Sequence, residues 1–541
     1  MVVRQDCEVT VNKASAAQAQ SLYKHRDDGM YMFGACLGSF KMSCRKDLQN
    51  EINAALMRIT NPMPIVNQTT FADFINQVRR FLPVLLKDLE VNKFPTFSEW
   101  NAPFPKGRRT KNEKCYERMV DKNGHFIPFS QSELRRVAKQ LPFLKTDKDA
   151  HVDIIGDKAA RFIMAQTDET AITLGLVLTG INQALERLWS FPTSNVVFAC
   201  GKTPYTLSRS FQAAKNISGI NLDNDYSQYD ATQHVQFCNL LVEIYDWILV
   251  NKNLEQLDPN LMHNYGLIRR HICGTTRART HFGMLLVVNG QMKSGQADTC
   301  MGNTINNVLS HLYALARNNG VEMADIYKQI LMHVLGDDNS TSIPNGMRFD
   351  RVERIMVELG LQPKLEIKRF EEVKFLNMIP YPVEEEEDGT NIRMAPLAGR
   401  FAERLFCSGT QPPSWRLQLI ALGYCVNSIA GFVPFMAAIV KSLWDAAGFT
   451  PTKSSKTGKR ASGDRDYQFS NAVKSHLGWF LSQTFQTDQP PATANRRTEL
   501  FLMERYHVDS FGMQAIVAAL ENPLLFHSDR WIQHIIDIDS V

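Results

Sequence analysis

The chain has 541 residues, of which 44% are hydrophobic and 21% charged, with a formal net charge of +4. This length exceeds one simple core, so roughly two to four subdomains are expected, and the ordinary apolar content with mixed charge excludes a disordered or fibrous polypeptide. Ten cysteines without a CxxC pair or a regular framework point to reduced thiols in a cytosolic setting and away from a secreted disulfide scaffold.

In chain order, the opening "MVVRQDCEVT" lacks the apolar core of a secretory signal. To about residue 130, short helical patterns mix with the proline turns "NPMP", "FPTF" and "APFP", which suggests an irregular lobe. "KGRRTKNEK" (106–114) and "KSSKTGKR" (453–460) concentrate basic side chains that suit a polyanion or a solvated surface loop. Residues 131–200 join the basic segment "FLKTDKDAHVDIIGDKAARFI" to a long amphipathic helix, "AITLGLVLTGINQALERLW". "ISGINLD" reads as a strand leading into Asp225, and "DTCMGNTINNVLSHLYALARNNG" as a helix closed by Asn-Asn-Gly. "KQILMHVL" reads as a buried strand, Gly336–Asn339 as a tight turn, "STSI" as the returning strand and "RVERIMVELG" as a helix ending at Gly360. Strand, helix, hairpin, helix, strand predicts an α+β fold, an antiparallel sheet with helices on one face.

His271 and Cys273 show no four-ligand zinc spacing. The run "EEEED" (384–388) reads as the solvated tip of a hairpin loop, followed by a helix-rich lobe. Leu417 to Val440 carries no charge and is nominally long enough to span a bilayer. Gln418, Asn427, Ser428 and Pro434 interrupt it, so two buried helices joined by an Asn-Ser turn are expected.

The chemistry concentrates in "NDYSQYDATQ", "KSGQADTCMGNTINN" and "HVLGDDNSTS". Asp225 at a strand end and Asp337 at a hairpin tip should face the same space, with Asp338 beside them. Three converging carboxylates are unstable unless cations lie between them, and hard divalent ions such as Mg²⁺ suit oxygen donors best. Ser294 and Gly295 form a flexible turn, and Thr299 and Asn303 share a helix face one turn apart. Ser, Thr and Asn facing one way before an acidic hairpin suit recognition of a hydroxyl. Singly, each piece has a bland reading: a hairpin turn, a helix N-cap, a capped helix with a wet side.

Together, "DYSQYD", "SGQADTCMGNT" and "GDD" resemble, in order, type and spacing, palm motifs A, B and C of the RNA-directed RNA polymerases of positive-strand RNA viruses. The likeness is most specific over 220–345 and closest to the alphavirus-like supergroup, with flavivirus-like and tombusvirus-like features. It implies a right-hand polymerase with fingers, palm and thumb: an N-terminal extension and fingertips (1–130), fingers (131–219), palm (220–383, with a fingers insertion near 247–288) and a helix-rich thumb (384–541). "VKFLNMIPYPV" resembles the hairpin that grips the primer end, although Phe375–Ile379 also suits core packing.

The resemblance assigns two Mg²⁺ ions, with Mn²⁺ as a substitute, to Asp225, Asp337 and Asp338. It assigns Asp230, Ser294 and Asn303 to the incoming ribose, with Gly295 and Thr299 in the same pocket. Lys158 and Arg161 match the basic motif that contacts the triphosphate, with Lys145 and Lys148 less closely placed. Lys364, or else Lys368, stands where the family carries a general acid. RNA template, nascent RNA and nucleoside triphosphates are the implied partners. Other viral replication proteins and membrane-associated sites in the host-cell cytoplasm are implied with them. A reverse transcriptase is disfavoured because the hairpin is Leu335-Gly336-Asp337-Asp338 and the sugar gate is acidic. A non-catalytic RNA-binding protein is the remaining rival.

Overall fold

The computed structural model describes residues 7–10, 31–32, 47–145, 160–217, 219–252, 256–385, 389–405, 407–408, 414–449, 495–522 and 529–540. They form a mixed α+β structure that divides into two compact units. The first comprises residues 1–27, 43–200 and 217–367, and the second 28–42, 201–216 and 368–541.

In the first unit, one sheet has the order β1 (Cys7–Thr10), β8 (Leu285–Asn289), β7 (Thr275–Arg279), β3 (Gln140–Leu144), β4 (Phe162–Gln166). A second has the order β11 (Pro363–Lys368), β6 (Ile220–Tyr226), β10 (Asp338–Ile343), β9 (Leu331–Leu335), β5 (Val196–Phe198). β10 pairs antiparallel with both β6 and β9, whereas β5 runs parallel to β9. The expected α+β class and the strand–helix–hairpin–helix order of the middle block are both present.

The helix Thr299–Asn319 packs against β9 and runs to a left-handed C-cap at Gly320, as Asn-Asn-Gly predicted. Its Tyr313 ring meets Phe74 of Gln68–Leu85, and Phe74 in turn meets Phe237 of Val235–Asn251, with centroids 5.2 and 5.9 Å apart. Edge-on ring pairs of this kind add ~0.5–1.5 kcal/mol each beyond the area they bury. This cluster fixes the helix behind the second sheet.

Several local expectations change. Gly336–Asn339 is not a four-residue turn, because pairing resumes at Asp338 and leaves Gly336 and Asp337 alone at the tip. The lobe before residue 130 is more regular than its prolines suggested, with helices Leu48–Arg58, Gln68–Leu85 and Lys106–Tyr116. The basic run at 106–114 is thus helical; Arg108 and Lys111 pair with Asp168 at 2.7 and 2.9 Å. The second basic run, 453–460, lies outside the described residues.

The second unit contains the short pair β2 (Tyr31–Met32) and β14 (Cys407–Ser408) and the hairpin β12 (Met378–Pro382) and β13 (Ile392–Pro396), and the connection from β12 to β13 carries the acidic run; 386–388 lie outside the described residues. Position 383/384, the boundary expected between palm and thumb, falls in that connection. Helix Trp415–Ala430 passes straight through Asn427 and Ser428, and the chain breaks instead at Gly431–Val433, before Pro434 opens the helix Pro434–Ala446. The two helices are buried as expected, but the turn is shifted because Pro at a first helical position is a stronger start signal than Asn-Ser is a stop. No described helix is long and apolar enough to cross a membrane. Asp539, fully buried, anchors this core by accepting from Gly399 N–H, Arg505 and Tyr506 at 2.7–2.8 Å.

Candidate active site

β6 and β10 carry a ladder of polar pairs on one face. Ser342 donates to Asn221 at 2.6 Å and Ser340 to Asp223 at 2.7 Å. Side chains two residues apart on a strand share a face. Asn339 lies opposite Asn224, so one further step of the same register sets Asp338 against Asp225 at the open end of the ladder. Asp337 occupies the adjoining turn. Gly336 there has φ +66°, which a side-chain-bearing residue adopts only with strain.

Asp225, Asp337 and Asp338 are all exposed to solvent. Protein nevertheless crowds Asp337 and Asp338 on most sides. Burial, then the charges of Asp230 and Asp225, raises the Asp337 carboxyl. Burial, then Asp337 and Asp225, pushes Asp338 up to about 7. Arg161, exposed just before β4, is the cation that opposes both shifts.

The donor set is therefore all carboxylate oxygen, self-repelling and short of positive charge, which fits a hard divalent ion. Among the described residues, no three His, Cys, Asp or Glu side chains already stand at coordinating distance. The acids share one end of the sheet without yet forming a coordination sphere.

The sugar-recognition candidates form a tighter cluster. After β6, Gln228 turns left-handed (φ 55°) into the single-turn helix Tyr229–Thr232, and Met292 N–H donates to Asp230 O at 3.0 Å. The loop opposite is pinned from behind. Lys293, fully buried, donates to Ile272 O and Gly290 O at 2.7 and 2.6 Å. Ser294 O accepts Met164 N–H at 2.7 Å. Gly295 has φ +103°, and a Cβ there would sit 2.9 Å from Ile163 Cγ2, so glycine is required on both counts.

The loop thus delivers the Ser294 hydroxyl to Asp230 Oδ2, while Asn303 Nδ2 donates to Asp230 Oδ1 at 2.7 Å. Burial raises the Asp230 carboxyl, and the Ser294 and Asn303 bonds, then Arg161 and Arg58, work against that rise. Asn303 Oδ1 is buried and has no hydrogen-bond partner, which leaves the amide one unused acceptor.

Of the residues singled out in the sequence, Asp230, Ser294, Gly295 and Asn303 are brought together here, with Arg161 close enough to act on both clusters. Thr299 begins the same helix as Asn303, but its hydroxyl donates to Gln296 O at 3.0 Å and Lys293 O at 3.4 Å, closing the loop instead of meeting Asp230. Lys364 lies on edge strand β11 beside β6, with its N–H on Asn224 Oδ1 at 3.2 Å and its side chain exposed. Lys145 N–H bonds Arg161 O at 2.8 Å, while Lys148 and Lys158 lie outside the described residues. Among the described residues, His271 and Cys273 belong to no group of three or more His, Cys, Asp or Glu side chains that could hold a metal ion.

Sequence reasoning missed Arg58, which ends the helix Leu48–Arg58 far from every motif and had no local signal. It also missed Thr304 and Asn307, which bond the hairpin turn. Polar residues inside an otherwise apolar helical pattern were their available signal.

Residues 142–381 match the family model of viral RNA-dependent RNA polymerases. A 142-residue stretch is also 33% identical to the genome polyprotein of bovine viral diarrhea virus (strain SD-1), covering 24% of this chain and 4% of that polyprotein. The match therefore spans a small fraction of that relative's length.

Proposed function

With residues 142–381 identified as a viral RNA-dependent RNA polymerase domain, we propose that this chain synthesises RNA from ribonucleoside triphosphates on an RNA template, replicating and transcribing a viral genome. The observation that carries the proposal is the adjacency of two clusters within the matched segment. One is an acidic sheet end fit for divalent ions, and the other is an Asp230–Ser294–Asn303 group with an unpartnered amide oxygen.

In this reading Asp225, Asp337 and Asp338 would hold two Mg²⁺ ions, with Mn²⁺ as a substitute. Bound there, such ions supply charge stabilisation to the attacking and leaving oxygens of a phosphoryl transfer. The chain's own residues do the rest. Asp230 holds the Asn303 amide, and Asn303 Oδ1 accepts the single proton of the ribose 2′-hydroxyl, so a deoxyribose leaves that oxygen unsatisfied. Ser294 keeps Asp230 aligned. Arg161, with Lys158, offsets charge on the triphosphate and the departing pyrophosphate. Lys364 protonates the leaving group. Base pairing selects the nucleotide, so no base-specific protein motif is needed.

The matching layout is an N-terminal extension and fingertips (1–130), fingers (131–219), palm (220–383, with an insertion near 247–288) and thumb (384–541). The setting implied by the family is the host-cell cytoplasm, at membrane-associated sites with other replication proteins. The test is incorporation of nucleotides on a defined RNA template with Mg²⁺, with and without primer. Asp337→Asn should abolish synthesis while RNA binding stays within about twofold of wild type, since a neutral amide is a poor ligand for a hard cation. Near-normal synthesis by that variant would refute the metal assignment.

A further inference from the structure

The helix Thr299–Asn319 touches both clusters within one turn. Asn303 holds Asp230. At the next residue, the Thr304 hydroxyl accepts Gly336 N–H at 2.8 Å and gives its own proton to Cys300 O at 2.8 Å. Asn307 donates its amide to Gly336 O and Asp337 O at 2.9 and 3.1 Å. The Asn307 oxygen accepts from Asn339 Nδ2 at 3.0 Å and from Tyr226 at 3.4 Å. Thr304 and Asn307 are fully buried, so neither can touch a nucleotide.

A two-residue hairpin closed by its own strand pairing and a left-handed glycine needs no outside anchor. Here the backbone N–H and both carbonyls of the acidic tip nevertheless end on one helix, beside the residue that bonds the sugar gate. A helical turn is too stiff to shift at 303 without shifting 304 and 307.

We propose that Thr304 and Asn307 are positioning residues that link sugar recognition to placement of the acidic tip. A 2′-hydroxyl that settles Asn303 against Asp230 also settles the turn carrying Asp337 and Asp338. The inference rests on the polymerase reading given above. It adds that ribose is rewarded in turnover as well as in binding.

The experiment measures single-nucleotide incorporation of ATP and dATP by the full chain on a primed RNA template with Mg²⁺. Thr304→Val keeps the shape and removes the acceptor for Gly336 N–H; Thr304→Ser restores it. Thr304→Val should lower kcat for ATP about tenfold, the effect of one hydrogen bond, and kcat for dATP by less than about threefold. Both KM values should stay at wild-type levels, and Thr304→Ser should recover the ATP rate. A purely structural role would shrink the active fraction and cut both rates by one factor, and that result overturns the proposal. If Thr304→Val is insoluble, Asn307→Asp replaces it. That change keeps the acceptor for Asn339 and Tyr226, removes the donor to the turn, and carries the same expected and refuting results. Failure of the wild type to incorporate either nucleotide overturns the polymerase reading itself. A wild type that works beside variants losing both rates equally overturns only the link.

Discussion

Truncating Asn303 to alanine tests the sugar reading most directly. The side chain is 5% exposed, its Nδ2 donates to Asp230 at 2.7 Å, and its Oδ1 has no partner. Hydrogen bonds to charged groups contribute ~1.5–3 kcal/mol and neutral ones ~0.5–1.5 kcal/mol. Alanine removes one of each: the bond that aligns Asp230, and the bond that the free oxygen would make to a 2′-hydroxyl. Ser294 still holds the other Asp230 oxygen, so the lower ends of those ranges apply. About 2 kcal/mol is lost, a factor of ~30 at 1.36 kcal/mol per decade. Of this, the part that should fall on ATP alone is the second bond, ~0.5–1.5 kcal/mol or about two- to thirteenfold, because a deoxyribose never made it. The assay is kcat/KM for each nucleotide on one primed RNA template. Equal losses for both, leaving the preference unchanged, would refute the assignment of Asn303 to the ribose.

Three other outcomes follow from named contacts. Glu51 is buried, and its carboxyl is raised from 4.5 to about 7, chiefly by burial. The native state therefore holds a proton that the unfolded chain releases above 4.5. Stability from this group is full below that pH and falls by about 3 kcal/mol as pH rises through 7. Glu51→Gln should remove the fall, read as amide-exchange protection of 48–58 between pH 5 and 8; an unchanged slope refutes it. Arg269 and Asp298 form a buried pair 2.9 Å apart, so Asp298→Ala should cost about 3 kcal/mol in denaturant unfolding, and Arg269→Met with Asp298→Leu much less. Asp338 sits among like charges but is exposed, so after solvent screening Asp338→Asn should gain only about 1 kcal/mol at pH 8 without divalent ions. Mg²⁺ should reverse the ranking, and no gain in chelator would deny the repulsion.

Much of the site was legible because its chemistry is local. Gly336-Asp337-Asp338 specifies a hairpin tip by turn geometry, and Asp225 is the last acid of a strand, one residue before its end, whose alternation of Asn221, Asp223 and Asp225 fixes the face it shares with Asp338. Asp230, Ser294 and Asn303 lie in separate stretches, and their meeting was anticipated only through the family's motif order; no local pattern contains it. Lys293 illustrates the opposite case. A lysine preceding Ser-Gly invites a role toward substrate, yet it is buried and donates to backbone carbonyls of its own neighbourhood. Nothing in its sequence context separates a lysine that meets phosphate from one that braces a loop.

The illegible part follows from how helical periodicity is read. Spacing along Thr299–Asn319 sorts residues into a buried and a solvent face by assuming that the buried face is apolar. Asn303, Thr304, Asn306, Asn307, Ser310 and His311 are all at most 5% exposed, so on this helix the assumption fails along half a dozen positions. Burying an amide or hydroxyl without a partner is costly, so such residues point to specific donors or acceptors elsewhere in the chain, with the Ser310 hydroxyl, which has none, as the exception. For Thr304 and Asn307 that partner is the hairpin backbone, and for Asn306 it is Gln233 at 2.8 Å. A polar run within an apolar pattern is thus evidence of what the helix must touch, and here the answer is the acidic tip itself.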